Sequence, residues 1–388
     1  MRREVRSSMA EEDKSAAGLD LQKHKDLKNS DEYLKKEAPR VRAQRRSLGL
    51  DGLVGGLQAI VINTEQDLQL SAAEEMLRYT GHNFVEAFQD DKLRTCVLKV
   101  PGSPEFRSAD VLIRSRLTDD NPFEAINIAP KSRGLPDTRL ETLIFETSDI
   151  EKYVSIQKAR GIKFLTDDII HTDNYSFIQT EPSRFTGNSL GFIQWTGSIG
   201  TYSSSNDQTL DWRPKKPDLD HLKDIKWIDH AATRVKAQYR DAALMEFMNL
   251  TNYNFEFAIY VSTLNSITSV ARLSHRDFAM VFTSGISPYI SDEISGPTEK
   301  FIQNYGTRVH HIAFQTEDIE KTYQSLVDDK MKFLIELVGS PQEGLKQTFS
   351  EPSRNTLLVN EYIHRYGDFD GFFTRSNVTL LTKATDKQ

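Results

Sequence analysis

The chain has 388 residues and a formal net charge of −7 at pH 7, with 49 basic residues interspersed among 56 acidic ones. That length is enough for two ordinary domains with separate apolar cores, and charge this evenly mixed takes nucleic acid off the list of expected partners. The one cysteine, Cys96, excludes an intramolecular disulfide and multi-thiolate zinc sites, and no apolar run approaches the roughly 18 residues of a membrane span, so a soluble cytoplasmic protein in a reducing compartment is expected.

Residues 1–50 are rich in Lys, Arg, Glu, Asp and Ser and poor in large apolar side chains. Such a composition buries too little surface to offset its ordering entropy, which predicts a mobile tail or an exposed helix. Glu11, Glu12, Asp13 and Asp20 argue against a transit peptide, a class usually poor in acidic residues. LQAIVINT, from Leu57, predicts a first strand, and Cys96 in LRTCVLKV reads as a buried strand residue. TLIFETSDIEKYVSIQKARGIKFL, from Thr142, predicts a strand, a turn whose Asp can cap, a helix, and a second strand beginning at KFL. EPSR at Glu181–Arg184 and the strand GFIQW from Gly191 follow, and the polar, proline-containing stretch 201–221 reads as a linker.

Beyond the linker the pattern returns. WIDHAATRV opens a strand at Trp227, and HIAFQTEDIEKTYQSLVDDKMKFL from His311 repeats the Thr142 segment with nine of twenty-four positions identical. EPSR recurs at Glu351–Arg354, and EYIHR from Glu361 takes the place of GFIQW. The expectation is a duplicated module, residues 51–200 and 222–388, of class α+β with mixed sheets curling around a cleft. No Gly-rich nucleotide loop or nucleophile elbow follows any strand, which disfavours nucleotide and hydrolase chemistry.

The two copies differ where chemistry would be. His311 stands where the first copy has Thr142, Glu361 where it has Gly191, and His230 falls opposite an apolar residue near Ala59 or Ile60. Singly, each reads as readily as a core histidine or a solvated carboxylate; together, in one copy only, two imidazoles and a carboxylate form the donor set of a facial triad suited to non-haem Fe(II), and also to Zn or Mn. No catalytic residue is expected beyond these three. His275 and His364 lie in the polar contexts LSHRDF and YIHRYG and are expected to be exposed, and His171 has no converging partners in its repeat.

WIDHAATRV, RVHHIAFQTEDIEK, KQTFSEP and NEYIHRYGDFDGFF resemble the four motifs of the 4-hydroxyphenylpyruvate dioxygenase family, within the vicinal oxygen chelate superfamily. The resemblance covers the second module at motif level and the first in architecture only. It implies two tandem modules of repeated βαβββ units, Fe(II) held by His230, His311 and Glu361, and a 2-oxo acid and O2 as the small-molecule partners. The implied reaction is oxidative decarboxylation with hydroxylation of the remaining fragment. By residue match, Ser269, Ser284, His310, Gln347, Phe349 and Asn377 would surround the substrate.

The departures from the family are specific. Gly296 replaces a Gln that helps organise the aromatic substrate, Phe282-Thr283-Ser284 replaces P-x-N, His310 replaces the Gln before the second ligand, and Val378 replaces an aromatic gate. Only 50 residues separate His311 from Glu361, without the family's longer insertion. Loss of groups built around a phenol implies a 2-oxo acid other than 4-hydroxyphenylpyruvate. An extradiol ring-cleaving dioxygenase and a non-catalytic small-ligand binder of the same superfamily are the alternatives; the first would need His310 and Tyr362, which strand alternation turns away from the metal. The oligomeric state is open, and a homo-oligomer is compatible with this reading.

Overall fold

Alternating strands and the helices between them assemble twice in the computed structural model, which describes residues 26–102, 108–367, 369 and 371–388. After α1 (Glu32–Ser47) the first copy runs β1 (Val54–Asn63), α2 (Gln69–Tyr79), β2 (Asn83–Gln89), β3 (Leu93–Lys99), β4 (Asp110–Arg116), β5 (Arg139–Thr147), α3 (Ile150–Ala159), β6 (Ile170–His171), β7 (Tyr175–Gln179), β8 (Ser189–Trp195) and β9 (Gln208–Thr209). The second runs β10 (Ile225–Arg234), α4 (Arg240–Leu250), β11 (Asn254–Val261), β12 (Ser266–Arg272), β13 (Ala279–Ser284), α5 (Pro297–Tyr305), β14 (Arg308–Thr316), α6 (Ile319–Asp328), β15 (Phe333–Ser340), β16 (Leu345–Ser350), β17 (Val359–Arg365) and α7 (Arg375–Ala384).

Each copy forms one mixed sheet, ordered β6-β7-β8-β5-β1-β4-β3-β2-β9 and β11-β12-β13-β10-β14-β17-β16-β15. The fold is α+β, two tandem modules built to one plan. The registers agree residue for residue. Ala59 pairs with Ile144 and Ile144 with Gly191, as His230 pairs with Ala313 and Ala313 with Glu361; Val61 pairs with Thr142 as Ala232 does with His311. His230 therefore corresponds to Ala59. The Asp of each T-x-D-I turn, Asp149 or Asp318, caps its helix by accepting a backbone N–H, of Lys152 or Lys321.

One continuous apolar core joins the outer faces of the two sheets and the helices between them, from Ile60, Leu143 and Phe145 to Phe247, Phe282 and Phe314. The repeated EPSR motif works at this junction. Ser353 donates to Glu75 on α2 of the first module at 2.6 Å, and Ser183 donates to Glu246 on α4 of the second. Arg139 reaches Thr307 O at 3.0 Å while its repeat equivalent Arg308 reaches Thr138 O, so the junction has approximate two-fold symmetry.

Two expectations change here. The part of the charged tail in residues 1–25 lies outside the described residues, but 32–47 is a docked helix, with Leu34, Ala38 and Val41 buried along one face. Its Arg45 donates to the carbonyls of Met248, Thr251 and Tyr253 at 3.2, 2.9 and 2.8 Å, satisfying acceptors that the end of α4 leaves free. The 201–221 stretch contributes β9 to the first sheet and buries Tyr202, whose hydroxyl donates to Asp110. Among the described residues no helix is long and apolar enough to cross a membrane.

Candidate metal centre

β14 lies between β10 and β17, so the row His230–Ala313–Glu361 crosses three adjacent strands. His311 is two residues before Ala313 on β14 and therefore shares its face, the concave one. The side chains converge: Glu361 Oε2 is 3.1 Å from His230 Nε2 and 3.2 Å from His311 Nε2, and all three donor atoms lie within 4.8 Å of one another. Neighbouring ligands at bonds of about 2.1 Å in an octahedral sphere are about 3 Å apart, so these residues fit a divalent ion.

The electrostatics agree. His230 and Glu361 are fully buried. Burial lowers the His230 pKa, but Glu361 and Asp229 outweigh it and push the ring up to about 9. His311 goes the other way: burial, with the nearby His310, His230 and Arg234, holds it well below the usual imidazole range. His230 therefore holds a proton that a metal ion at Nε2 would displace.

Outer contacts fix each ligand. Asp229 accepts from His230 Nδ1 at 2.8 Å, leaving Nε2 to face the site, and Arg365 clamps Asp229 through two nitrogens at 2.5 and 3.0 Å. Arg365 also holds the Asp229 carboxyl well below its ordinary pKa against the opposing effect of burial. Gln347 Nε2 donates to Glu361 Oε1, and Asn377 Nδ2 on α7 donates to Gln347 Oε1 at 3.0 Å. Phe372 and Phe373 pack edge-on against His230, and Phe349 lies 4.7 Å from the His311 ring. Asp229→Asn is expected to weaken metal binding by about 10- to 100-fold, because the amide can present its N–H to His230 and lose the orienting bond. Equilibrium metal titration checks this, and an unchanged dissociation constant would count against the orienting role.

Of the residues expected around a substrate, Gln347 and Phe349 line the cavity beside the triad, and Asn377 reaches it through Gln347. Ser269 and Ser284 do not. On β12 and β13 it is Thr268 and Thr283 that face the cavity; Ser269 accepts from Arg240 on the opposite face, and Ser284 bonds the carbonyl of Gly285. Phe282 likewise packs into the core against Phe247, 5.6 Å between ring centroids. Gly296 caps α5 and has no room for a side chain: an added Cβ would meet Leu264 O at 1.8 Å.

His310 reverses the alternation argument. Ala232 pairs with His311 but Thr233 with Val309, so His310 is the extra residue of a bulge and turns toward the ligands. Its Nδ1 is 2.7 Å from His311 Nδ1 and its Nε2 is 2.8 Å from Gln388 Oε1. With His311 Nε2 facing the metal position, the bonding order that satisfies both rings runs from His311 Nδ1–H to His310 and from His310 Nε2–H to Gln388. Tyr362 does face away, its hydroxyl donating to Tyr79 O.

Sequence reading missed Arg234, which lines the same cavity. The signal was available: it stands four residues from His230 on the same strand, hence on the same face. In the first module the position of Glu361 has no room for a side chain, and Thr142, at the position of His311, donates to Gln179 at 3.1 Å. A Cβ on Gly191 would lie 2.9 Å from the Phe177 ring, which packs with Tyr175 and Trp195 against Ala59, Val61 and Ile144.

Residues 263–359 match the Glyoxalase/Bleomycin resistance protein/Dioxygenase superfamily. No curated protein matches this sequence. Among solved structures, a triple mutant of 4-hydroxymandelate synthase from Streptomyces coelicolor is similar, with 15% identity and a TM-score of 0.62 over 86% of this chain and 99% of that one. A xylose isomerase-like TIM barrel/4-hydroxyphenylpyruvate dioxygenase fusion protein is similar at 13% identity and a TM-score of 0.59, covering 90% of this chain and 57% of the fusion. At such identities the likeness is one of fold.

Proposed function

We propose that this chain, whose second module carries a domain of the Glyoxalase/Bleomycin resistance protein/Dioxygenase superfamily, is an Fe(II)-dependent dioxygenase that oxidatively decarboxylates a 2-oxo acid and hydroxylates the remaining fragment. The observation that carries the reading is the buried His230–His311–Glu361 group, in the second of two modules whose first has Ala59, Thr142 and Gly191 at the same positions. Bound Fe(II) would supply electrons for O2 reduction and two or more open positions for the carboxylate and keto oxygens of the substrate.

The protein's own residues do the rest. Asp229 and Gln347 hold the ligand tautomer and carboxylate rotamer, so that little reorganisation is needed when substrate arrives. Phe349, Phe372 and Phe373 keep water from the ligands. The cavity beside the triad is ≈ 30 Å³, room for little more than water, and α7 forms one wall through Val378, Leu381 and Thr382. Substrate entry therefore requires that wall to move. The ring-cleaving alternative lacks its phenol, since Tyr362 faces away, and the binding-only alternative leaves a complete ligand set without a use.

Anaerobically loaded with Fe(II) and then exposed to air, the protein is expected to consume O2 only with a 2-oxo acid present and to release one CO2 per O2. 4-Hydroxyphenylpyruvate should be a poor substrate, at least about tenfold down in kcat/KM, or about 1.4 kcal/mol of transition-state stabilisation. O2 uptake without CO2, or a yellow product from a catechol, would replace this reading with another oxygenase chemistry.

A further inference from the structure

Arg234 is a buried cation in the cavity beside the triad, with no counter-ion among the described residues. Among the other buried arginines, Arg240 pairs with Asp31 at 2.6 Å, Arg116 with Glu141 at 2.7 Å and Arg272 with Glu256 at 2.5 Å, whereas Arg139 and Arg308 are held at the module junction by Asn127 and by the carbonyls of Thr307 and Thr138; Arg234 differs from these two in lining the cavity. Arg45 is satisfied by three carbonyls and Asn254. Arg234 is 2% exposed; among the described residues its one hydrogen bond runs from NH1 to Thr298 Oγ1 at 3.0 Å, and its Nε has no partner. The Phe301 ring lies 5.9 Å from the guanidinium, and no carboxylate among the described residues forms an ion pair with it. A desolvated, uncompensated guanidinium is unfavourable, and its planar fork is shaped for a carboxylate.

Its position gives that charge a use. Arg234 shares the concave face with His230 and stands four residues along β10, roughly 13 Å between Cα atoms. It lines the cavity together with His311, Gln347 and Glu361, so metal centre and guanidinium serve one space from different parts of the strand. The repeat supports a role in ligand recognition. Both Arg234 and Asn63 pair with the arginine that opens the neighbouring strand, Arg308 or Arg139, so Arg234 replaces a neutral amide in the copy that also acquires the three ligands.

We propose that Arg234 anchors a second anionic group of the substrate, so that the 2-oxo acid is a short dicarboxylate or an equivalent dianion held by the metal at one end and the guanidinium at the other. This rests on the 2-oxo acid reading above. A slender aliphatic dianion also needs less displacement of α7 than an aromatic ring would, and the hydroxyls of Thr268 and Thr283 line the space between.

The test compares 2-oxoglutarate with 2-oxopentanoate, which have the same chain length and differ in a terminal carboxylate against a methyl group. Binding is measured by calorimetry on the Zn(II)-loaded full-length protein, where no turnover occurs. The wild-type protein is expected to bind 2-oxoglutarate at least about 30-fold more tightly. Arg234→Met should reduce the preference to about threefold or less, Arg234→Lys should retain part of it, and both should bind zinc as the wild type does. Equal affinity of the wild-type protein for the two acids overturns the anchor and leaves the 2-oxo acid reading standing. Failure of both acids to bind metal-loaded protein overturns the two together. The wild-type comparison decides the matter even if the variants do not fold.

Discussion

Replacing His230, His311 or Glu361 by Ala is expected to lower bound Fe(II) from close to one per chain to near zero. A four-ligand protein site binds zinc with an apparent ~10–16 kcal/mol, so one ligand is worth about 3 kcal/mol, or about 100-fold or more in affinity. With three protein ligands the loss of one also removes the geometry that keeps water and competing donors out. Glu361→Ala leaves Gln347 without its acceptor, which invites the objection that the variant simply misfolds. Glu361→Gln answers it: the amide keeps an oxygen for Gln347 while lacking the negative charge a divalent ion needs. We expect that variant to fold in metal-free buffer, melting below the wild type at neutral pH because protonated His230 loses its partner, and to take up little iron. Undiminished iron in all three Ala variants, measured on folded protein, would sink the metal centre.

The duplication and the convergence of His230, His311 and Glu361 were legible because both depend on pattern. Nine identities in twenty-four residues locate equivalent strands, and a histidine or glutamate in one copy only is conspicuous once the copies are aligned. The sheet register completes this by pairing Ala59 with Ile144 as His230 pairs with Ala313, which resolves Ala59 against Ile60 as the equivalent of His230.

The cavity wall was not legible, for one physical reason. Side chains alternate faces along a strand, so placing Ser269 and Ser284 where Thr268 and Thr283 belong turns each residue through the sheet and into the core. His310 fails in the opposite sense, because a bulge on β14 is set by pairing with β10, almost eighty residues earlier in the chain. That helix α1 docks, instead of lying exposed, was missed by weighing composition alone. Leu34, Ala38 and Val41 recur at helical spacing, and Arg45 continues the same face toward acceptors that only the folded α4 presents.

Gly296 illustrates how a family difference can be structural and not a matter of specificity, and it yields the second large effect. Restoring a glutamine there was the natural way to recover an aromatic substrate. Instead Gly296→Gln, and equally Gly296→Ala, is expected to destabilise the protein by more than about 3 kcal/mol. The glycine has an extended backbone at the start of α5, and any Cβ would stand 1.8 Å from Leu264 O and 2.8 Å from Leu264 C, neither of which can rotate away. Relief requires α5 to shift as a unit. That helix carries Glu299, whose carboxylate accepts the backbone N–H groups of Ala237 and Gly285 at 3.0 and 2.9 Å, and Thr298, the hydrogen-bond partner of Arg234. Displacing it therefore disturbs the second module's cavity and core together, and at about 2–4 °C per kcal/mol the midpoint should fall by roughly 6–12 °C or more. Gly134→Ala is the control, since a Cβ there meets nothing within 4 Å, and its melting point should be unchanged. A Gly296→Ala protein that melts with the wild type would show that the Leu264 carbonyl yields more readily than its packing implies, and would reopen this position to a role in substrate choice.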